Sequence, residues 1–172
     1  MFNTGTGEVI TTTVDGTVTN TETLYYSYDA NGTPVSVKYN GTAYFYVTNL
    51  QGDVVAIMNG SGTIVVEYTY DAWGYIRATS GSMATTLGKA NALRYRSYVY
   101  DPKTALYYLQ SRYYNPGTGR FINADVLVST GQGLIGNNMF AYCLNNPVMN
   151  SDPSGNITIG AFIGDAHCRV AK

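Results

Sequence analysis

Two cysteines, Cys143 and Cys168, and one histidine, His167, are the chain's only thiols and imidazole. A zinc site takes about three or four such ligands. His167-Cys168 has no third partner nearby in sequence, so no metal and no cofactor is expected. Two cysteines also fall short of a disulfide framework. They can form one bridge in an oxidising compartment or remain thiols, and the tail position of Cys168 favours free thiols. Asn49-Leu50-Gln51-Gly52-Asp53 has the outline of a calcium loop, but its side chains supply too few of the about six to eight oxygens that calcium takes. No phosphate loop or nucleophile–base arrangement is present. What remains are rings: Trp73 and 17 tyrosines, which can stack on sugars or pack across a sheet, with packing the favoured reading.

The elements that hold these residues read as strands and turns. Hydrophobic residues make up 45% of the 172 positions, but charged residues only 12%, against about 25% in a typical globular chain. Threonine (21 residues) and glycine (19 residues) fill the polar quota. Net charge is −1, so general attraction to nucleic acid or anionic membrane is excluded. No apolar run approaches the length of a membrane-spanning helix, and Met1-Phe2-Asn3 opens no signal peptide.

Residues 1–23 are rich in Thr, Val and Gly and predict one or two edge strands around Asp15-Gly16. From Leu24 a rhythm sets in. Tyr28-Asp29-Ala30-Asn31-Gly32, Thr48-Asn49-Leu50-Gln51-Gly52, Met58-Asn59-Gly60-Ser61-Gly62 and Tyr70-Asp71-Ala72-Trp73-Gly74 repeat one unit at spacings of 20, 10 and 12 residues. Asp or Asn starts such a turn by bonding its own backbone, and Gly supplies the positive-φ position that ends it. Between these turns Val35–Tyr39, Ala43–Val47, Val54–Met58 and Ile64–Tyr70 are strand-like, with a further turn at Asn40-Gly41. Residues 79–92, TSGSMATTLGKANA, break the rhythm and predict an exposed excursion with a short helix near Met83–Leu87.

The most constrained stretch runs from Leu93 to Asn123, with seven tyrosines, four arginines and two Pro-containing turns at Asp101-Pro102 and Asn115-Pro116. Aromatic runs on both sides of Asp101-Pro102 predict two turns joining three strands.

The Tyr-Asp units at 28–32 and 70–74 resemble the YD repeat of Rhs-type proteins. Leu93-Arg94-Tyr95-Arg96, Tyr100-Asp101, Leu106-Tyr107-Tyr108-Leu109, Arg112-Tyr113-Tyr114-Asn115-Pro116 and Gly119-Arg120-Phe121-Ile122 are similar, in order, to the Rhs repeat-associated core. So are Ala141-Tyr142, Asn145-Asn146-Pro147-Val148 and Asp152-Pro153-Ser154-Gly155. The resemblance implies an all-β fold in which successive antiparallel hairpins, with little helix, form a curved and partly open section of a YD-repeat β-shell. It divides the chain into YD-type hairpins at 1–78, the excursion at 79–92, the core at 93–156 and a truncated tail at 157–172.

Some members of that family cleave themselves just after the Asp-Pro-x-Gly element with two aspartates. By position these correspond to Asp125 and Asp152, with Arg120 tuning the pair or bracing the loop and cleavage following Asn156. Here the first element is Asp125-Val126-Leu127-Val128, lacking Pro and Gly, and Asn156 stands where Leu is usual. The alternative is structural: Asp152 opens an Asp-Pro turn and Asp125 caps a loop.

Three readings of function follow. The resemblance implies a shell segment that encapsulates or presents a polymorphic toxin in bacterial export and competition, with no toxin domain in these residues. Its partners are then the remainder of a longer shell and its cargo. As part of that longer protein it is secreted or associated with the cell wall. The second reading is a Tyr-rich carbohydrate-binding or adhesive module, and the third a self-cleaving core. An isolated segment is expected to associate through its open sheet edges.

Overall fold

The structure, a computed structural model, describes residues 3–14, 17–125, 138–156 and 159–160, with side chains for 21–125 and 138–156. His167 and Cys168 lie outside the described residues, as does all of the tail except 159–160.

Seven strands follow one another in an antiparallel meander: β1 (Asn3–Val14), β2 (Thr17–Tyr28), β3 (Pro34–Tyr39), β4 (Thr42–Thr48), β5 (Val54–Met58), β6 (Ile64–Tyr70) and β7 (Ile76–Ser80). Each pairs only with its sequence neighbours, so the sheet is open at both ends. The repeated turns share one construction. The side-chain Oδ1 of Asp29 accepts from the N–H groups of Asn31 (2.8 Å) and Thr33 (2.9 Å). Asn49 Oδ1 does the same for Gln51 and Asp53, Asn59 Oδ1 for Ser61 and Thr63, and Asp71 Oδ1 for Trp73 and Tyr75. In every case the fourth residue is a glycine, with φ between 82° and 85°, whose N–H returns to the backbone oxygen of the first. Only glycine reaches that conformation without strain.

One face of this sheet carries Leu24, Tyr26, Val37, Tyr46, Ile57, Val66 and Tyr68, all buried. Its cover is the segment expected to project. Residues 79–92 are exposed only in part: Leu87, Gly88 and Asn91 are buried, and Asn91 takes a hydrogen bond from the Tyr46 hydroxyl at 2.6 Å. The helix in this segment, α1 (Leu87–Ala90), begins where the expected one ends. Small residues in the segment read as solvent-loving, yet Gly88 lets the chain lie against Val66 and Thr79, where a β-carbon would stand 3.0 Å from Val66 Cγ1.

The second sheet has four strands in the order β11 (Arg120–Phe121), β10 (Arg112–Asn115), β9 (Leu106–Leu109), β8 (Val99–Asp101). There are three turns here where two were expected. The additional one, at Gln110-Ser111, puts Gln110 at φ 59° and carries no Gly or Pro to announce it. The strand expected before Asp101 shortens to Val99–Asp101, because Arg96 and Ser97 adopt positive φ (53° and 57°) in a tight turn. A short pair, β12 (Asn150–Ser151) with β13 (Ile159–Gly160), completes the sheet elements.

The two sheets meet at the turn 71–74. Its three successive carbonyls accept from three tyrosines: Ala72 O from Tyr95 Oη (2.9 Å), Trp73 O from Tyr114 Oη (2.6 Å) and Gly74 O from Tyr107 Oη (2.9 Å). Around them Tyr95, Tyr98, Tyr107, Tyr114, Phe121 and Tyr142 form an aromatic core with ring centroids 4.1–6.4 Å apart.

Candidate functional site

Arg112 opens β10 in a chain poor in charge, and its side chain is 94% buried. Its guanidinium lies 3.6 Å from the Phe121 ring centroid, and Nη1 donates to Met139 O at 3.0 Å. Nε donates to Gly155 O. Nη2 meets two carboxylates at once: Asp125 Oδ2 at 3.1 Å and Asp152 Oδ2 at 3.4 Å. Burial pushes the arginine below its ordinary pKa, and the two carboxylates oppose that shift.

Asp152 is held from several sides. Its Oδ1 accepts from the Asn156 N–H at 3.0 Å, its own N–H donates to Tyr98 Oη at 3.1 Å, and Gly155 follows at φ 72°. As in the hairpin turns Oδ1 takes the N–H four residues on, but here the residue two on, Ser154, offers its hydroxyl (3.4 Å), and the second carboxylate oxygen turns to Arg112. A β-carbon at Gly155 would stand 2.5 Å from Leu109 O, so the glycine is required by packing as well as by φ. Asp125 is fixed through its backbone, its N–H donating to Met139 O at 2.9 Å.

Of the three residues named from sequence, the structure brings Asp125 and Asp152 to one guanidinium. Arg120 is exposed on β11, its backbone bridged to Ala141. The residue that joins the pair, Arg112, was not singled out. Arginine is mostly a surface residue, and no local pattern around Arg112 marks it for burial. As it stands the site can brace a loop: one cation gathers strand, loop and Asp-Pro turn. An aspartic-protease pair shares a proton between its carboxyls; here Nη2 of Arg112 meets both carboxylates.

A second buried arginine, Arg96, works similarly. It lies 3.6 Å from Asp53 Oδ1 through Nε, and it donates to Gln51 O at 3.1 Å and to Pro147 O at 2.5 Å. Asp53 Oδ1 also accepts the Arg96 N–H at 2.9 Å, so the residue suspected of calcium binding is taken up by an ion pair. Cys143 is a buried free thiol, its pKa pushed up to about 12 by burial. Trp73 packs on the backbone of Gly119, where a β-carbon would lie 2.9 Å from its ring. Among the described residues no cluster of metal-ligating side chains exists, and no helix is long and apolar enough to cross a membrane.

The teneurin YD-shell family profile matches residues 10–148. The chain is 43% identical over 136 residues to the tRNA3(Ser)-specific nuclease WapA of Bacillus spizizenii, covering 79% of this chain and 6% of that protein. It is 38% identical over 81 residues to the toxin protein Tse5 of Pseudomonas aeruginosa, covering 45% of this chain and 6% of that protein. Among solved structures, the TcdB2-TccC3 complex superposes with a TM-score of 0.72 at 24% identity, covering 87% of this chain and 7% of the other. The chain therefore spans about 6% of the length of these two curated relatives. Self-closing Asx–glycine turns, a hairpin meander and an aromatic second sheet docked on its last turn are the build of one family: this chain belongs to the teneurin YD-shell family.

Proposed function

We propose that this chain is a wall segment of a longer YD-repeat β-shell that encapsulates or presents a C-terminal toxin during bacterial export and competition. The observation that carries the reading is an open sheet of consecutive hairpins that matches 87% of its own length, but 7% of the other chain's, to the TcdB2-TccC3 structure. A wall strand faces solvent on one side and a lumen on the other, and low charge with abundant Tyr and Thr suits both. In this reading residues 1–78 continue a hairpin wall, 79–92 line it, and 93–156 form the core that ends it. The partners are the rest of the shell and its cargo, and the site of action is outside the producing cell or at its wall. The test uses a full-length shell carrying this segment. Added protease should leave its C-terminal domain intact, and excision of 93–156 should expose that domain. Equal protection with and without the segment rules the reading out.

A second reading, self-cleavage after Asn156, draws on the convergence of Asp125 and Asp152 beside the Gly155-Asn156 backbone. For the two carboxyls to share a proton, Arg112 must first release one of them. Intact-mass measurement of a chain extended past Lys172 decides it. A cut product that disappears with Asp152→Asn supports cleavage, and an uncut chain leaves the aspartates as braces.

A further inference from the structure

Among the described residues three arginines are buried to 8% exposure or less: Arg94, Arg96 and Arg112. Arg96 has Asp53, and Arg112 has Asp125 and Asp152. Arg94 has no carboxylate within ion-pair distance among the described residues. Its charge is held by dipoles and rings. Nε donates to Asn91 O (3.1 Å), and Nη2 donates to Gly88 O (3.2 Å) and Lys89 O (3.0 Å). The guanidinium carbon lies 4.4 Å from the Tyr100 ring centroid and 5.3 Å from that of Tyr68. Nη1 has no hydrogen-bond partner among the described residues, yet it is not among the sealed, unpartnered atoms, so it keeps access to solvent.

Arg94 lines a cavity of about 470 Å³ together with Lys89, Tyr100, Thr79 and Thr85. Two cations and three hydroxyl-bearing side chains surround the space, and no carboxylate does. The neighbouring acid, Asp101, is occupied with its own turn, taking the Lys103 N–H (2.9 Å) and the Thr104 hydroxyl (2.8 Å). Glu67 pairs in register with Ser80 and is exposed, while the adjacent Val66 is the residue that meets Gly88. Glu67 therefore belongs to the opposite face of the sheet. An arginine desolvated without a counter-ion leaves an uncompensated positive potential at the cavity. The remaining guanidinium nitrogen, Nη1, an ammonium and hydroxyls together are a donor set that suits an oxyanion.

The geometry points to an oxyanion-binding site built on Arg94 and Lys89 at one side of this open cleft, taking a phosphate or carboxylate group. The anion arrives either as a free phosphate or as an acidic side chain from a neighbouring part of the longer shell. Arg94 gives the fixed donor, and Lys89, exposed at the rim, closes on the bound group.

The test is titration of the 172-residue chain with inorganic phosphate and, separately, with acetate, each against chloride at matched ionic strength, followed by NMR at the Arg94 side-chain Nε–H. Saturable shifts beyond the chloride background in either arm support the site. Phosphate as the stronger ligand identifies a free phosphate, and acetate as the stronger identifies an acidic side chain. Lys89→Gln, at an exposed position that leaves the fold intact, should weaken binding about tenfold, the worth of one charge-assisted hydrogen bond. The absence of saturation in both arms, or equal binding by Lys89→Gln and the parent chain, overturns the proposal.

Discussion

A β-carbon at Gly74 would stand 2.5 Å from Cδ1 of Tyr95, whereas one at Gly32 would meet nothing within 4 Å. The two glycines hold the same place in the repeated turn, with φ of 85° and 84°. Gly32→Ala should therefore cost only the left-handed backbone penalty, about 1–2 kcal/mol. Gly74→Ala adds a clash with a buried ring and should cost about 3 kcal/mol or more. Urea unfolding of the two variants separates the terms, and equal losses would mean that Tyr95 yields freely. Arg112 is a second case. Arg112→Met strands two carboxylates on a largely buried site and should destabilise by about 3–5 kcal/mol. Removing one carboxylate as well, in Arg112→Met/Asp152→Asn, should recover part of that loss, because Asn keeps an oxygen for the Asn156 N–H. At this scale the sequence was informative where spacing carries the meaning: Asp152 and the turn residues sit where the pattern puts them. It was uninformative about Arg112, since a cation's burial depends on strands and loops distant in sequence that close over it.

The joint between the sheets is made by tyrosine hydroxyls. Tyr95, Tyr107 and Tyr114 donate to the carbonyls of residues 72–74, and burial raises the pKa of each above the ordinary tyrosine value. Burial likewise raises Tyr46, Tyr68, Tyr98 and Tyr142. In the unfolded chain tyrosine ionises near pH 10. A folded pKa above that value means the folded state keeps its protons longer. The stabilisation is complete below about pH 10 and is lost as pH rises toward and through the folded values. Cys143, pushed up to about 12, adds the same sign, starting from the lower range where an unfolded thiol ionises. The share of tyrosinate absorbance that belongs to these buried rings should therefore rise together with the loss of sheet circular dichroism in one alkaline transition. Titration of these tyrosines near their ordinary value with the sheets intact would contradict the buried joint. Strands β5 and β6 begin and end where the sequence pattern places them, because Asx–glycine turns bound them. The bends at Arg96-Ser97, Gln110 and Cys143–Asn145 were not legible: each puts non-glycine residues at positive φ, a choice imposed by packing over local preference.

At the scale of the whole molecule the described residues form two open sheets and one short strand pair, and openness leaves unpaired backbone at the rims. On the outer face of the smaller sheet, Val99, Tyr108 and Tyr113 lie in register and Ile122 follows beside Tyr113, each 43–50% exposed. The isolated chain should self-associate with rising concentration, and Ala78→Lys on the rim strand β7 should shift it toward monomer. Sedimentation velocity across a concentration series checks this, and a monomer at every concentration would count against it. The curved, open, helix-poor architecture was legible because the repeat itself encodes it, while the cover supplied by 79–92 was not, since its small polar residues give no periodic signal. The turns closing 29–33 and 59–63 bond only within themselves, whereas those at 49–53 and 71–74 surrender carbonyls to the residues that follow position 93. A gene can thus duplicate a stretch ahead of the turn at 49–53 and leave both pinned turns in place. Wall length becomes free to vary in whole tiles by copying errors upstream, while the tiles that end in Gly52 and Gly74 are fixed cornerstones.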